Sequence, residues 1–233
     1  MKVIDISRTI QADMEMYPGD AGPQITKVSG LDEGDSYNTS RITLGTHTGT
    51  HVDPPLHLIR DRAGIDRLPM NTLVGNARVL DLSSINRPIE ASDIGPLEAG
   101  EIILLKGGPN DSDGSGDSGD SGDFGDLGVS DGSADSGSSG DPGASCGAYL
   151  SAACARYLVD IGIRTIGTDA ISIGALDEEY EVHHTLLDAG IVVIEGLEMP
   201  DVEAGDYFLV CLPLKIANGD GGPARAVLIK EKE

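Results

Sequence analysis

Apolar residues along this chain gather in short runs, each bounded by glycine, proline or charge. Runs of that length predict strands more than helices. The expected strands cover residues 2–6, 38–44, 77–82, 101–105, 164–169, 191–194, 207–213 and 224–229. Residues 191–194 are apolar without a break, as in a strand covered on both faces. Helical spacing is rarer. Ser151 is a good N-cap, Ala155, Leu158 and Val159 share one face, and Gly162 supplies a stop. A second short helix is expected within 179–190, closed by Gly190. Residues 58–76, broken at Leu68-Pro69-Met70, read as loop with a helical turn, and 89–93 as a short helix or turn. Pro18-Gly19-Asp20 marks a tight turn behind Tyr17, whose ring either covers the core or faces a ligand.

One segment breaks this pattern. Residues 107–145 hold nine aspartates between Asp111 and Asp141 and no Lys or Arg, with Gly and Ser filling most of the remainder. Phe124, Leu127 and Val129 are too few to bury a core. The segment reads as an acidic loop inserted into a single domain spanning 1–233. Gly119-Asp120-Ser121-Gly122 lies in a repeat of the same letters and marks no nucleophile. Asp111-Ser112-Asp113 lacks the glutamate that an EF-hand needs at its twelfth position, where Gly122 stands.

The insert changes the meaning of the composition. The net charge of -23 and the 32 glycines owe much to it. Such acidity opposes nucleic acid and anionic membrane as partners. No run is long and apolar enough to span a bilayer, and residues 1–5 lack the apolar stretch of a signal peptide. Three cysteines, Cys146, Cys154 and Cys211, fit no CxxC spacing and form no even set for a disulfide framework. A reducing cytoplasm is the expected location.

The chemistry is concentrated in Gly45-Thr46-His47-Thr48-Gly49-Thr50-His51-Val52-Asp53-Pro54-Pro55-Leu56-His57. That stretch holds three of the five histidines, and His183-His184 supply the other two. A helical reading of His47 and His51 is opposed by Thr46, Thr48, Thr50 and Val52, by Gly49, and by the two prolines. On an extended backbone, positions 47, 51, 53 and 57 share one parity and face one side. Neutral imidazoles with a carboxylate suit zinc, manganese or iron, and a carboxylate can bridge two ions. Glu195 ends the buried run 191–194, where a carboxylate is costly unless paired or metal-bound. The spacing lets His183 and Glu195 converge on one point. Asp169, at another strand end, reads as a partner for backbone groups.

These clusters resemble the cyclase-like metal-hydrolase family, which includes bacterial kynurenine formamidase and isatin hydrolase. The likeness is carried by the histidine stretch, Tyr17-Pro18-Gly19-Asp20, His183-His184, Ile194-Glu195-Gly196-Leu197, Leu212-Pro213-Leu214-Lys215-Ile216 and Gly219-Asp220-Gly221. It implies an α/β fold, a single β/β/α layered domain with mixed sheets, assembled as a homodimer or higher oligomer such as a homotetramer. It implies that His47, His51 and Asp53 bind one metal, that Asp53 also bridges to a second, and that His183 binds the second. Glu195 would bridge both, and His57 would carry protons. The ions implied are two Zn, with Mn an alternative. The activity implied is amide hydrolysis of a small molecule, foremost an aryl formamide such as N-formylkynurenine. A cyclic amide or lactone, as for isatin hydrolase, is the alternative substrate, and a metal-binding protein without catalysis the alternative class. Kynurenine formamidases carry Trp before the Pro-Gly-Asp turn, where this chain has Tyr17 and no Trp anywhere.

Overall fold

The computed structural model describes residues 1–108, 147–175 and 177–230. The acidic segment expected at 107–145 therefore lies almost wholly outside the described residues, as does Cys146.

Ten strands and two α-helices are described. β1 (Lys2–Asp5) is followed by β2 (Gln24–Ser29), β3 (Thr39–Thr43), β4 (His51–Asp53), β5 (Val74–Asp81) and β6 (Ile102–Lys106). Then come α1 (Ala152–Ile161), β7 (Thr165–Thr168), α2 (Glu179–Asp188), β8 (Val192–Glu195), β9 (Gly205–Pro213) and β10 (Gly222–Lys230). β5 to β8 run parallel in spatial sequence. The other pairings of the large sheet are antiparallel. β10 pairs along one edge with β4 and β1 and along the other with β9, which in turn pairs with β5. The mixed sheet thereby closes on itself into a barrel with β1 appended.

Period-two alternation divides the core in two. Ile102 and Leu104 of β6, with Val192 and Ile194 of β8, point into the barrel against Leu209, Cys211 and Leu228. Ile103, Leu105 and Val193 point outward and meet Leu158 of α1 and Leu186 of α2. A continuous apolar run is what a strand with both faces covered requires, and β8 is buried at all four positions. The α1 boundaries match the sequence expectation. Ser151 Oγ accepts from the Cys154 amide at 3.1 Å, and Gly162 closes the helix at φ 80° with its amide donated to the Leu158 carbonyl.

Two local expectations need correction. The histidine stretch is extended only over β4, so positions 47, 51, 53 and 57 do not form one strand face. Residues 47–50 turn, with Gly49 at φ 64°, and His57 ends a 3-10 turn at Pro55–His57. Second, β2 went unread in the sequence. It pairs with β3 as a separate two-stranded hairpin. None of the described helices is long and apolar enough to cross a membrane.

Candidate active site

The register of β4 against β8 places His51 beside Glu195 and Val52 beside Ile194. A strand pair thus brings together two polar groups that are 144 positions apart in the chain (195 minus 51). The junction behind them is tight. Thr50 Oγ1 donates to the Gly196 carbonyl at 2.5 Å and accepts from the Arg8 amide at 2.8 Å. A Cβ on Gly196, at φ 64°, would lie 2.4 Å from the Gly49 carbonyl oxygen, so only glycine fits. α2 brings His183 in from the other side. His183 Nδ1 lies 3.0 Å from the Glu179 carbonyl one turn earlier, and Nε2 lies 2.9 Å from Glu195 Oε1. The Ile173 amide donates to the same oxygen at 2.8 Å.

Asp53 sits at the centre. Its Oδ1 is 2.8 Å from His47 Nδ1 and 3.5 Å from His51 Nε2, and its Oδ2 is 3.8 Å from His183 Nε2. His51 Nε2 is also 3.3 Å from Glu195 Oε2. His47 and His57 rings are 4.3 Å apart, and His57 and His183 rings 6.1 Å. The non-strand positions of His47 and His57 thus still converge, because the turn before β4 and the 3-10 turn after it fold toward the same side. The five residues expected from the sequence to meet do so, although not through one strand face.

The donor set fits divalent cations. His47 Nε2, His51 Nε2 and Asp53 Oδ1 are buried and make no hydrogen bond among the described residues. Buried polar atoms are costly without a partner, and imidazole nitrogen with carboxylate oxygen is a ligand chemistry for zinc or manganese. Ligand atoms of His47, Asp53 and His57 lie within 4.8 Å of one another, as do those of His51, Asp53 and Glu195. Asp53 belongs to both groups. His57 thus stands in the same group as His47 and Asp53.

The electrostatics follow from burial and pairing. Burial lowers the pKa of His51, but Asp53 and Glu195 outweigh it and hold the imidazole up at about 9. His183 is likewise pulled down by burial and raised further by Glu195 and Asp53, to about 9. Burial would raise Glu195, yet His183 and His51 hold its carboxyl well below the usual carboxylate range. His57 is different: burial dominates and lowers its pKa.

These groups line a cleft of about 420 Å³ whose far wall comes from Tyr17, Glu179 and Tyr180. Tyr17 Oη donates to Glu179 Oε2 at 2.6 Å, and that bond, with burial, raises the phenol to about 12. So Tyr17 faces the cleft rather than capping the core. Glu179 was missed as a site residue, because an acidic residue in a first helical turn reads as a favourable helix start. Asp220 was unassigned too; its Oδ2 is 3.8 Å from His47 Nε2, and a Cβ on Gly221 would fall 2.6 Å from the His47 ring. His184 does not line the cleft and instead lies 5.6 Å from the Tyr180 ring. Asp169 accepts from the amides of Gly107 (2.9 and 3.0 Å) and Ala148 (2.9 Å), the backbone role expected from its position.

Residues 4–175 match the Cyclase family (Putative cyclase), and the chain belongs to that family. Among its relatives is a kynurenine formamidase of Salinibacter ruber, 36% identical, with 98% of this chain and 97% of the relative aligned. A solved structure described as a potential metal-dependent hydrolase with cyclase activity superposes with a TM-score of 0.75 at 30% identity, covering 99% of both chains. Isatin hydrolase A from Labrenzia aggregata shares the fold, with a TM-score of 0.71 at 21% identity over 99% of this chain and 94% of that one. The expected α/β domain with a mixed sheet is borne out.

Proposed function

We propose that this chain is a metal-dependent hydrolase of carbon–nitrogen amide bonds, an arylformamidase that releases formate from N-formylkynurenine or a similar aryl formamide. The observation that carries the proposal is the buried Asp53 carboxylate, shared by two groups of potential ligands at the base of an open cleft. Similarity over the whole length to a kynurenine formamidase supports the substrate class. His47, His51, Asp53, His183 and Glu195 would hold divalent ions, two Zn or Mn. Bound there, such ions supply Lewis acidity and a water that ionises near neutral pH.

The remaining steps belong to side chains. The Glu179 carbonyl fixes the His183 ring through Nδ1, and the Gly49 carbonyl does the same for His51 Nδ1 at 2.9 Å. His57, half-buried and with a lowered pKa, is a neutral imidazole at pH 7. It can take a proton at the cleft wall and return it to the leaving aryl nitrogen. Tyr17 would lie against the substrate ring.

Dialysis against a strong chelator should abolish formamidase turnover, and Zn or Mn should restore it. Full activity in verified metal-free protein would sink the proposal. A panel containing isatin beside N-formylkynurenine separates this activity from cyclic-amide hydrolysis.

We also infer that the chain assembles as a homodimer, or as a tetramer of such pairs, through the β2–β3 hairpin. Ile25 and Ile42 face each other across the hairpin and are 48% and 57% exposed, with Val28 at 60%. A lone two-stranded hairpin is marginal in water, and a second copy would cover its apolar side. Sedimentation should give a multiple of the 24.1 kDa chain mass, and Ile25→Asp with Ile42→Asp should return it to monomer. A monomeric parent protein would dismiss the pairing. The buried, free Cys154 and Cys211 fit a reducing cytoplasm.

A further inference from the structure

Residues 9–20 flank the cleft, with Glu15, Met16, Tyr17 and Asp20 in its lining. Their attachment is sparse. Two hydrogen bonds run within the segment, from the Met14 amide to the Gln11 carbonyl and from the Asp20 amide to the Tyr17 carbonyl. Among the described residues, a single hydrogen bond ties residues 9–20 to the rest of the chain, from Tyr17 Oη to Glu179 Oε2. An ion pair of Arg8 with the half-exposed Glu15 at 3.5 Å adds little. Met14 packs over Gly49, where an added Cβ would sit 3.2 Å from its Cε.

Glu179 is committed on three sides. Oε2 takes the Tyr17 hydroxyl, Oε1 takes Ser172 Oγ at 2.7 Å, and the main-chain carbonyl takes His183 Nδ1 at 3.0 Å. Ser172 is buried and adjoins Ile173, whose amide donates to Glu195. One residue thus links the strap flanking the cleft to both the helix and the loop that orient His183 and Glu195. A phenylalanine at position 17 would fill the same space with no such link, and an indole would present its N–H elsewhere.

We propose that Glu179 is a positioning residue and Tyr17 its latch. The Tyr17–Glu179 bond holds residues 9–20 closed over the bound substrate, and the same carboxylate braces the first turn of α2 beneath His183. This rests on the hydrolytic reading of the cleft, but the strap itself is testable without it. Weak tethering means that the segment opens independently of the barrel, with a population set by the one bond. A charge-assisted hydrogen bond of this type shifts that equilibrium by roughly tenfold once solvent exposure is counted.

Amide hydrogen exchange at Met14 and Asp20, the hydrogen-bonded amides of the segment, should quicken about tenfold in the Tyr17→Phe protein, with the strands of the barrel unchanged. Glu179→Gln, which keeps one acceptor oxygen and turns the other position into an NH2 donor, should retain part of the protection, and Glu179→Ala none. On an aryl formamide, Tyr17→Phe should lower kcat/KM by about tenfold, most of it in KM, as expected when closure over substrate is lost. The double variant Tyr17→Phe with Glu179→Gln should lose less than the product of the single losses. Because the chain has no Trp, Tyr17→Trp provides a single indole whose emission reports burial of the strap directly. Unchanged exchange in both Tyr17→Phe and Glu179→Ala would overturn the latch, whether or not formamide is turned over. Faster exchange with no formamidase activity in the parent protein would keep the latch and remove only the substrate assignment.

Discussion

Replacing His57 with alanine is expected to lower kcat by about a thousandfold, the middle of the range for a positioned general acid–base, while the metal content of the protein stays unchanged. The expectation rests on what distinguishes His57 from its neighbours. His51 and His183 are buried among carboxylates that raise them to about 9, whereas burial dominates at His57 and lowers it. Its ring is half-buried at the end of a 3-10 turn, 4.3 Å from His47 and 6.1 Å from His183, and it opens on the cleft. A neutral imidazole there accepts a proton, so turnover should fall on the acid side as His57 becomes charged below its ordinary pKa of about 6.5. That limb should vanish in the alanine variant. The competing arrangement is the group formed by His47, Asp53 and His57, in which His57 is a ligand. If metal content by elemental analysis falls together with turnover, the proton-carrying role goes to another residue.

What the chain's letters disclosed and what they hid have physical reasons. β8 and α1 were legible because their signals are local: an unbroken apolar run, and a Ser151 cap with a Gly162 stop. β2 was hidden because it lacks the alternation that a strand packed on its own core displays, and all its residues but Ser29 are exposed. Barrel closure depends on β9 pairing with β5 and β10 with β4, strands distant in sequence, and no local pattern encodes those pairings. At the candidate site the residue types alone pointed to the groups that the fold brings together, since five histidines fall in two clusters. The shape was not. Thr48 and Thr50 suggested an extended strand, but both are buried in a turn that Gly49 makes possible. Glu179 is the instructive omission: its function lies in three hydrogen bonds to residues brought together only by the fold.

Loading the metal-free protein should release about two protons at pH 7, and Glu195→Gln should lower that release, more at His183 than at His51, while weakening metal affinity on the order of a hundredfold or more. The folded, metal-free chain keeps His51 and His183 protonated to about 9 because Glu195 and Asp53 surround them. The stabilisation gained this way is complete below the unfolded histidine pKa of about 6.5 and is lost as pH climbs from there through about 9. Metal ions need neutral imidazoles, so they compete with those protons. Affinity should accordingly rise between pH 6.5 and 9, opposite to the stability of the metal-free protein, and the two slopes should share one proton count. Calorimetric titration in buffers of different ionisation enthalpy yields that count directly. Glu195 acts on both slopes, since it lies 3.3 Å from His51 and 2.9 Å from His183. Its amide replacement leaves Asp53 alone to favour the charged rings, and it offers a metal a neutral oxygen in place of a carboxylate. A metal affinity flat across this pH range, or one untouched by Glu195→Gln, would mean that the ions bind away from His51 and His183.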